Sequence, residues 1–294
     1  MKYFISIIAG AGIASAVPLL SRATENFFFT FGDSYTTTSF NVGGTQPTAG
    51  NPMGNPVLGT GTTTGGVNWV GDLTTVYNAS VVLSYDLAVG GASIDNSLVQ
   101  TGVPDDMVTQ VGKFETMYGE KPAYAPWSSE NAVFGFWIGI NDIGWAWSSN
   151  EASVLVPKLM ARYKALAEQI YASGGRKFLF LNVPAVSRSP QILSQGIDAA
   201  AGHAAWVMAY NTALKAMVDE FMASNSGTTT VLYDTWTFMT KVLDAPATYG
   251  FPDATCVNAD GVSCIWWNDY HPGYEFHKLQ AADMKLHIHS LWAW

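Results

Sequence analysis

Charge is scarce in this sequence: 13% of its 294 residues are Asp, Glu, Lys or Arg, and acidic side chains outnumber basic ones 23 to 14. A net charge of −9 excludes an electrostatic grip on nucleic acid or on an anionic bilayer, since each needs a basic face. The shortage is not that of a disordered chain, because 48% of the residues are apolar and 13% aromatic. Cysteine is scarcer still, with two, and no cysteine–histidine group has the spacing of a structural zinc site. Also absent are the P-loop, His-Glu-x-x-His, the dinucleotide Gly-x-Gly-x-x-Gly and the Gly-x-Ser-x-Gly elbow. Those absences exclude P-loop kinases, zinc proteases, dehydrogenases and serine esterases of the α/β-hydrolase type. No metal or organic cofactor is expected. No internal apolar run approaches the ~18 residues of a membrane span, so no stable membrane insertion is expected either.

The N-terminus carries one positive charge at Lys2, an apolar run from Tyr3 to Ile13, and Ala14-Ser15-Ala16. That order predicts a signal peptide over residues 1–16 and export of a single domain over 17–294. Cys256 and Cys264, eight positions apart, pair in an oxidising compartment and close the loop holding Asn258, Asp260 and Gly261. Asn78-Ala79-Ser80 is a glycosylation sequon and predicts a surface position for Asn78. A secreted monomer is the expected form.

Apolar patterning alternates between two periods. Phe27–Phe31, Ala132–Ile138, Lys177–Val183 and Thr228–Tyr233 are runs of strand length. Leu155, Leu159, Tyr163, Leu166 and Ile170 share one helical face, with Pro157 expected in the first turn and Gly174-Gly175 at the end. Trp206, Tyr210, Leu214, Met217 and Phe221 define a second helix, and Phe276 to Leu291 a third. Gly43 to Gly66 is rich in Gly, Thr, Pro and Asn and is expected as a long surface loop. Strands alternating with helices predict an α/β fold with a parallel sheet. Sites in such sheets form on the loops that leave the strand ends.

The first run ends in Gly32-Asp33-Ser34-Tyr35, which places a serine just beyond a buried strand. A serine hydroxyl needs a base within hydrogen-bond reach, and the oxyanion formed after attack needs fixed donors. The histidines are 203, 271, 277, 287 and 289. His203 falls in a helical pattern and the last three in or near the terminal helix, on helix surfaces or as satisfied core residues. His271 alone precedes a Pro-Gly turn.

Phe31-Gly32-Asp33-Ser34-Tyr35 resembles the signature of the GDSL/SGNH hydrolases, with Tyr35 where that family often has Leu. Ala88-Val89-Gly90-Gly91-Ala92, Gly139-Ile140-Asn141-Asp142 and Asp269-Tyr270-His271-Pro272 resemble its later blocks, in order. Trp267-Asn268-Asp269-Tyr270-His271-Pro272, the cysteine pair and Asn182-Val183-Pro184 are similar to secreted fungal GDSL esterases, several of them acetylesterases of carbohydrate esterase family 16. The resemblance implies a three-layer α/β/α sandwich around a parallel sheet, of SGNH-hydrolase or flavodoxin-like type. It further implies Ser34 as nucleophile, His271 as base, and Ser34 N–H, Gly91 N–H and the Asn141 amide as oxyanion donors. The expected substrate is an acylated saccharide or other small ester, with acetyl the expected acyl group.

One departure stands out. The family usually has Asp three residues before its histidine, where this chain has Asn268, while Asp269 stands two before. Asn268, Asp269 or a backbone carbonyl then orients His271. Asp33 is expected to hold the turn. Trp137, Trp145, Trp147, Trp266 and Trp267 either form a sugar platform or fill an aromatic core. Two rivals remain: a lipase or phospholipase for longer acyl chains, and a carbohydrate-binding protein without activity.

Overall fold

A computed structural model describes Met1 and residues 25–291. Apart from Met1, the expected leader over residues 1–16 lies outside them. Among these described residues five strands form one sheet: β1 (Asn26–Gly32), β2 (Val82–Asp86), β3 (Ala132–Trp137), β4 (Lys177–Leu181) and β5 (Thr229–Tyr233). Their order is β2-β1-β3-β4-β5 and every pairing is parallel. Parallel sheets are covered on both faces, which explains why β1 to β4 are buried nearly throughout.

Among the described residues eight α-helices complete the layers: α1 (Trp69–Thr75), α2 (Met107–Tyr118), α3 (Ile140–Ala146), α4 (Ala152–Ala172), α5 (Pro190–Leu193), α6 (Ile197–Ser224), α7 (Thr235–Asp244) and α8 (Tyr274–His287). Helices α2, α4 and α6 pack side by side, and α1 packs against α8. The sheet face under α2, α4 and α6 is paved with phenylalanine. The register sets Phe29 beside Phe134 and Phe134 beside Phe178; one step on, Phe31, Phe136 and Phe180 form a second row. Phe29 stacks on Phe134 at 5.4 Å and Phe31 on Phe136 at 4.8 Å, adding ring contacts to the area buried. On the other face Phe28 meets Trp69 of α1 edge-on at 6.0 Å.

The expected strands, the two long helices and the three-layer class are all present. Two expectations need correcting. Helix α4 starts at Ala152, so Pro157 lies in its second turn rather than its first. There it removes the donor for the carbonyl of Ser153, a residue exposed to solvent. The terminal helix runs Tyr274–His287 instead of Phe276 to Leu291, starting directly after Gly273. Strand β2 and helices α1, α2, α3, α5 and α7 have no counterpart among the elements expected from sequence. Strand β2 reads VLSYD, and its buried Ser84 and Asp86 interrupt the apolar run that would have marked it.

The chain leaves β1 for β2 on one side and returns to β3 on the other. Connections therefore diverge at the C-terminal ends of β1 and β3, where a crevice opens.

Candidate active site

The turn after β1 is fixed before its serine is reached. A Cβ on Gly32 would stand 2.3 Å from the Trp137 carbonyl oxygen, so only glycine fits against β3. The buried Gln110 side chain of α2 accepts from Gly32 N–H at 2.9 Å and donates to its carbonyl at 2.8 Å. The Asp33 carbonyl accepts from Thr36 and Thr37 N–H, and its Oδ1 accepts from Tyr35 N–H at 2.9 Å. Thr63 Oγ1 donates to the Ser34 carbonyl at 2.6 Å and Trp69 Nε1 to that of Tyr35 at 3.1 Å. Asp33 thus holds the turn, as expected. Gln110 and Thr63 were not identified from sequence, although a glutamine on the buried stripe of Met107, Val111 and Phe114 was a usable signal.

The turns after β2 and β3 are tied to each other. Gly91 has φ +82°, and Gly139 has φ +120° with Tyr210 packed where a Cβ would go. Asn141, in the first turn of α3, donates one Nδ2 proton to the Ala92 carbonyl at 3.0 Å, and the second has no partner among the described residues. The next residue, Asp142, is buried and accepts from Ile94 N–H through both oxygens, at 3.1 and 3.2 Å. These bonds fix the Gly91 turn against the Asn141 helix.

His271 arrives on an irregular loop and completes the group. Its Nε2 lies 2.9 Å from Ser34 Oγ, across 237 positions of chain. Asn268 Oδ1 accepts from the N–H groups of Tyr270 at 2.9 Å and His271 at 2.7 Å, and lies 3.1 Å from His271 Nδ1. Those two backbone donors identify the atom as the carbonyl oxygen, so Nδ1 carries the proton and Nε2 is free to accept one. Of the three orienters left open, Asn268 is the one in contact. Asp269 is exposed, and its backbone carbonyl accepts from Gln191 N–H. The Tyr35 hydroxyl donates to the Tyr270 carbonyl, joining the neighbour of Ser34 to the neighbour of His271.

Burial governs the ionisation of these groups. It pushes the His271 pKa down to about 4, against a smaller upward pull from Asp269. Burial pushes Asp33 up to about 8, opposed by the Tyr35 N–H, and Asp142 up to about 7, opposed by the Ile94 N–H. At neutral pH the imidazole is therefore neutral, and the carboxyl next to Ser34 is largely protonated.

A cavity of about 480 Å³ adjoins the nucleophile turn, lined among others by Phe40, Asn41, Val89, Gly90, Asp105 and Lys113. Its wall includes Thr63, the residue bonded to the Ser34 carbonyl. Cys256 and Cys264 form a disulfide with Cα atoms 5.2 Å apart. Asn78 is half-buried after α1, and its side chain donates to the Thr74 carbonyl. Trp137 and Trp266 belong to the core, Trp147 packs on His203, Trp267 packs beside His271, and Trp145 is exposed. His203 and His277 are buried, but not satisfied as expected. Neither nitrogen of His203 nor Nδ1 of His277 finds a hydrogen-bond partner among the described residues. Burial keeps both rings neutral, with pKa values near 4 and 3.

Comparison with known proteins places the chain in a family. The GDSL-like lipase/acylhydrolase family model matches residues 28–284. An acetylesterase of Thermothelomyces thermophilus is 41% identical over 281 residues, covering 94% of this chain and 93% of that one. An acetylesterase of Hypocrea jecorina is 22% identical over 92% of each chain. Among solved structures, a catalytic mutant of an acetylxylan esterase from Geobacillus stearothermophilus shares the fold. It has a TM-score of 0.51 and 15% identity, covering 89% of this chain and 94% of that one.

Proposed function

The chain belongs to the GDSL-like lipase/acylhydrolase family and is a carboxylic ester hydrolase, and from that premise we propose that it is a secreted serine esterase removing acetyl groups from saccharides of the plant cell wall. The observation that carries the mechanism is the 2.9 Å contact between His271 Nε2 and Ser34 Oγ. In this reading the neutral imidazole takes the Ser34 proton as Oγ attacks the ester carbonyl. The oxyanion rests on the N–H groups of Ser34 and Gly91 and on the free Nδ2 proton of Asn141. His271 then protonates the departing sugar alkoxide. In the second half it deprotonates a water that attacks the acyl-enzyme, and Ser34 recovers its proton.

Asn268 holds the ring tautomer without supplying a negative charge. The imidazolium is therefore less stabilised than beside a carboxylate, and in exchange the base stays neutral well below pH 6. A protonated Asp33 keeps negative charge away from the developing oxyanion. Acetyl is favoured as the acyl group because relatives of similar length are acetylesterases. Export is favoured by the signal-like N-terminus and by the disulfide, which persists only where conditions are oxidising.

The cavity that borders the turn after Ser34, walled by Thr37, Thr63 and Gly90, is far larger than an acetyl group and motivates a second reading, hydrolysis of longer acyl esters. Initial rates on nitrophenyl acetate, butyrate and octanoate, with Ser34→Ala as control, decide between them. Rates highest on acetate and lost in the variant are expected. Rates rising toward octanoate overturn the acetyl reading, and turnover surviving in Ser34→Ala removes Ser34 from the mechanism.

A further inference from the structure

Among the tryptophans near the site, Trp145 differs in being 61% exposed, whereas Trp137 and Trp266 are fully buried. Its place is not an arbitrary stretch of surface. Helix α3 rises from the end of β3, and Asn141 sits in its first turn, pointed at the turn that carries Gly91. Trp145 is four residues further on, so it stands on the same helical stripe about 6 Å above Asn141. Between them Gly144 is exposed, and a Cβ there would lie 3.5 Å from the Tyr270 hydroxyl. The Tyr270 ring in turn packs edge-on against His271 at 5.5 Å. The indole therefore rises from the rim shared by the candidate oxyanion donor and the candidate base. A leaving group protonated by His271 departs on the base's side of the site.

We propose that Trp145 is the stacking platform for a neutral pyranose ring of the leaving group, which rests on the saccharide-esterase reading above. The C–H bonds on one face of a pyranose carry partial positive charge and match the negative face of an indole, while the ring hydroxyls stay in water. A chain with a net charge of −9 disfavours a uronic acid in that position and favours an uncharged sugar.

The test compares the parent enzyme with Trp145→Ala and Trp145→Phe on nitrophenyl acetate, nitrophenyl octanoate and acetylated xylo-oligosaccharides. Trp145→Ala is expected to lower kcat/KM on the oligosaccharide at least fivefold more than on nitrophenyl acetate. The loss should appear chiefly in KM and be largely restored by Phe. In a Ser34→Ala background the oligosaccharide should change tryptophan fluorescence, and adding Trp145→Ala should abolish that change. Equal losses on both acetyl substrates, or no loss on the oligosaccharide, overturn the platform. A loss greatest on octanoate reassigns the indole to an acyl chain, and a dimer that dissociates only in Trp145→Ala reassigns it to a copy–copy contact. If Ser34-dependent acetate hydrolysis persists while these effects are missing, the platform alone fails. If no ester is hydrolysed, the esterase reading fails and the platform with it.

Discussion

The two loops that meet at Ser34 and His271 are made rigid by opposite means. The serine turn inherits its position from the sheet: β1 lies between β2 and β3, Gly32 is pressed against Trp137, and Gln110 occupies both backbone groups of Gly32. The histidine loop has no ladder to lean on, only isolated bridges such as Trp266 with Pro272. Its rigidity comes from short polar side chains that accept N–H groups two or three residues on. Asp253 takes those of Thr255 and Cys256, Asp260 those of Val262 and Ser263, and Asn268 those of Tyr270 and His271. The disulfide closes the middle of that run. The contrast teaches where each half is fragile: the first through packing, the second through single hydrogen bonds that leave the core untouched.

Substitutions sharpen this contrast, and the largest effect is expected on the sheet-anchored side. Asn141→Ala should cut kcat by ~10²–10³ with the melting temperature nearly kept, as for the loss of one oxyanion donor. A fall below fivefold would remove Asn141 from that role. On the histidine side, Cys256→Ser with Cys264→Ser should cost about 2.5 kcal/mol of stability in urea unfolding, from the entropy of the short loop it frees. An unchanged midpoint would show that the Asx turns alone hold the loop.

Next comes acidity. The His271 pKa is lowered to about 4, so the neutral base survives as pH falls from 7 and the acid limb of kcat/KM should lie near pH 4. The same shift has the reverse sign for stability. The unfolded chain takes up this proton near pH 6.5 while the native site does not, so His271 contributes a loss of stability as pH drops through that window. Asn268→Asp sets a carboxylate beside Nδ1 and should move the acid limb up by ~1–3 units, leaving about tenfold less activity at pH 5. An unmoved limb would mean that position 268 does not address the ring. The smallest effect is expected where the two halves join. Tyr35→Phe removes the bond to the Tyr270 carbonyl, worth ~1 kcal/mol, and should lower kcat about fivefold at constant KM. A change confined to melting temperature would make Tyr35 a packing residue only.

Legibility in the sequence follows the same division. Strands β1, β3 and β4 announced themselves because both faces are buried and their apolar runs are nearly unbroken. Strand β2 did not, since Asp86 is spent on Thr30 and on the Thr38 N–H inside the fold, contacts that no local pattern encodes. The candidates Ser34, Gly91, Asn141 and His271 came from four short motifs, whereas the choice between Asn268 and Asp269 as the side chain touching His271 depended on a turn three residues long. Trp145 and Trp137 were indistinguishable in sequence because exposure is decided by what packs on top. Pro157 was misplaced for a simpler reason: Glu151, which precedes α4, makes no side-chain cap, so nothing in the sequence marked where the helix begins.

The 237 positions that separate Ser34 from His271 have a consequence for how this protein matures. The longest-range contact in the site is also the one on which the proposed mechanism depends, and no fragment holding only one end of the chain contains both partners. Loop closure over such a span is formed only with the rest of the topology in place. Ester hydrolysis by this chain thus serves as a folding reporter: the appearance of turnover during refolding marks the moment when the first strand and the last loop are both home.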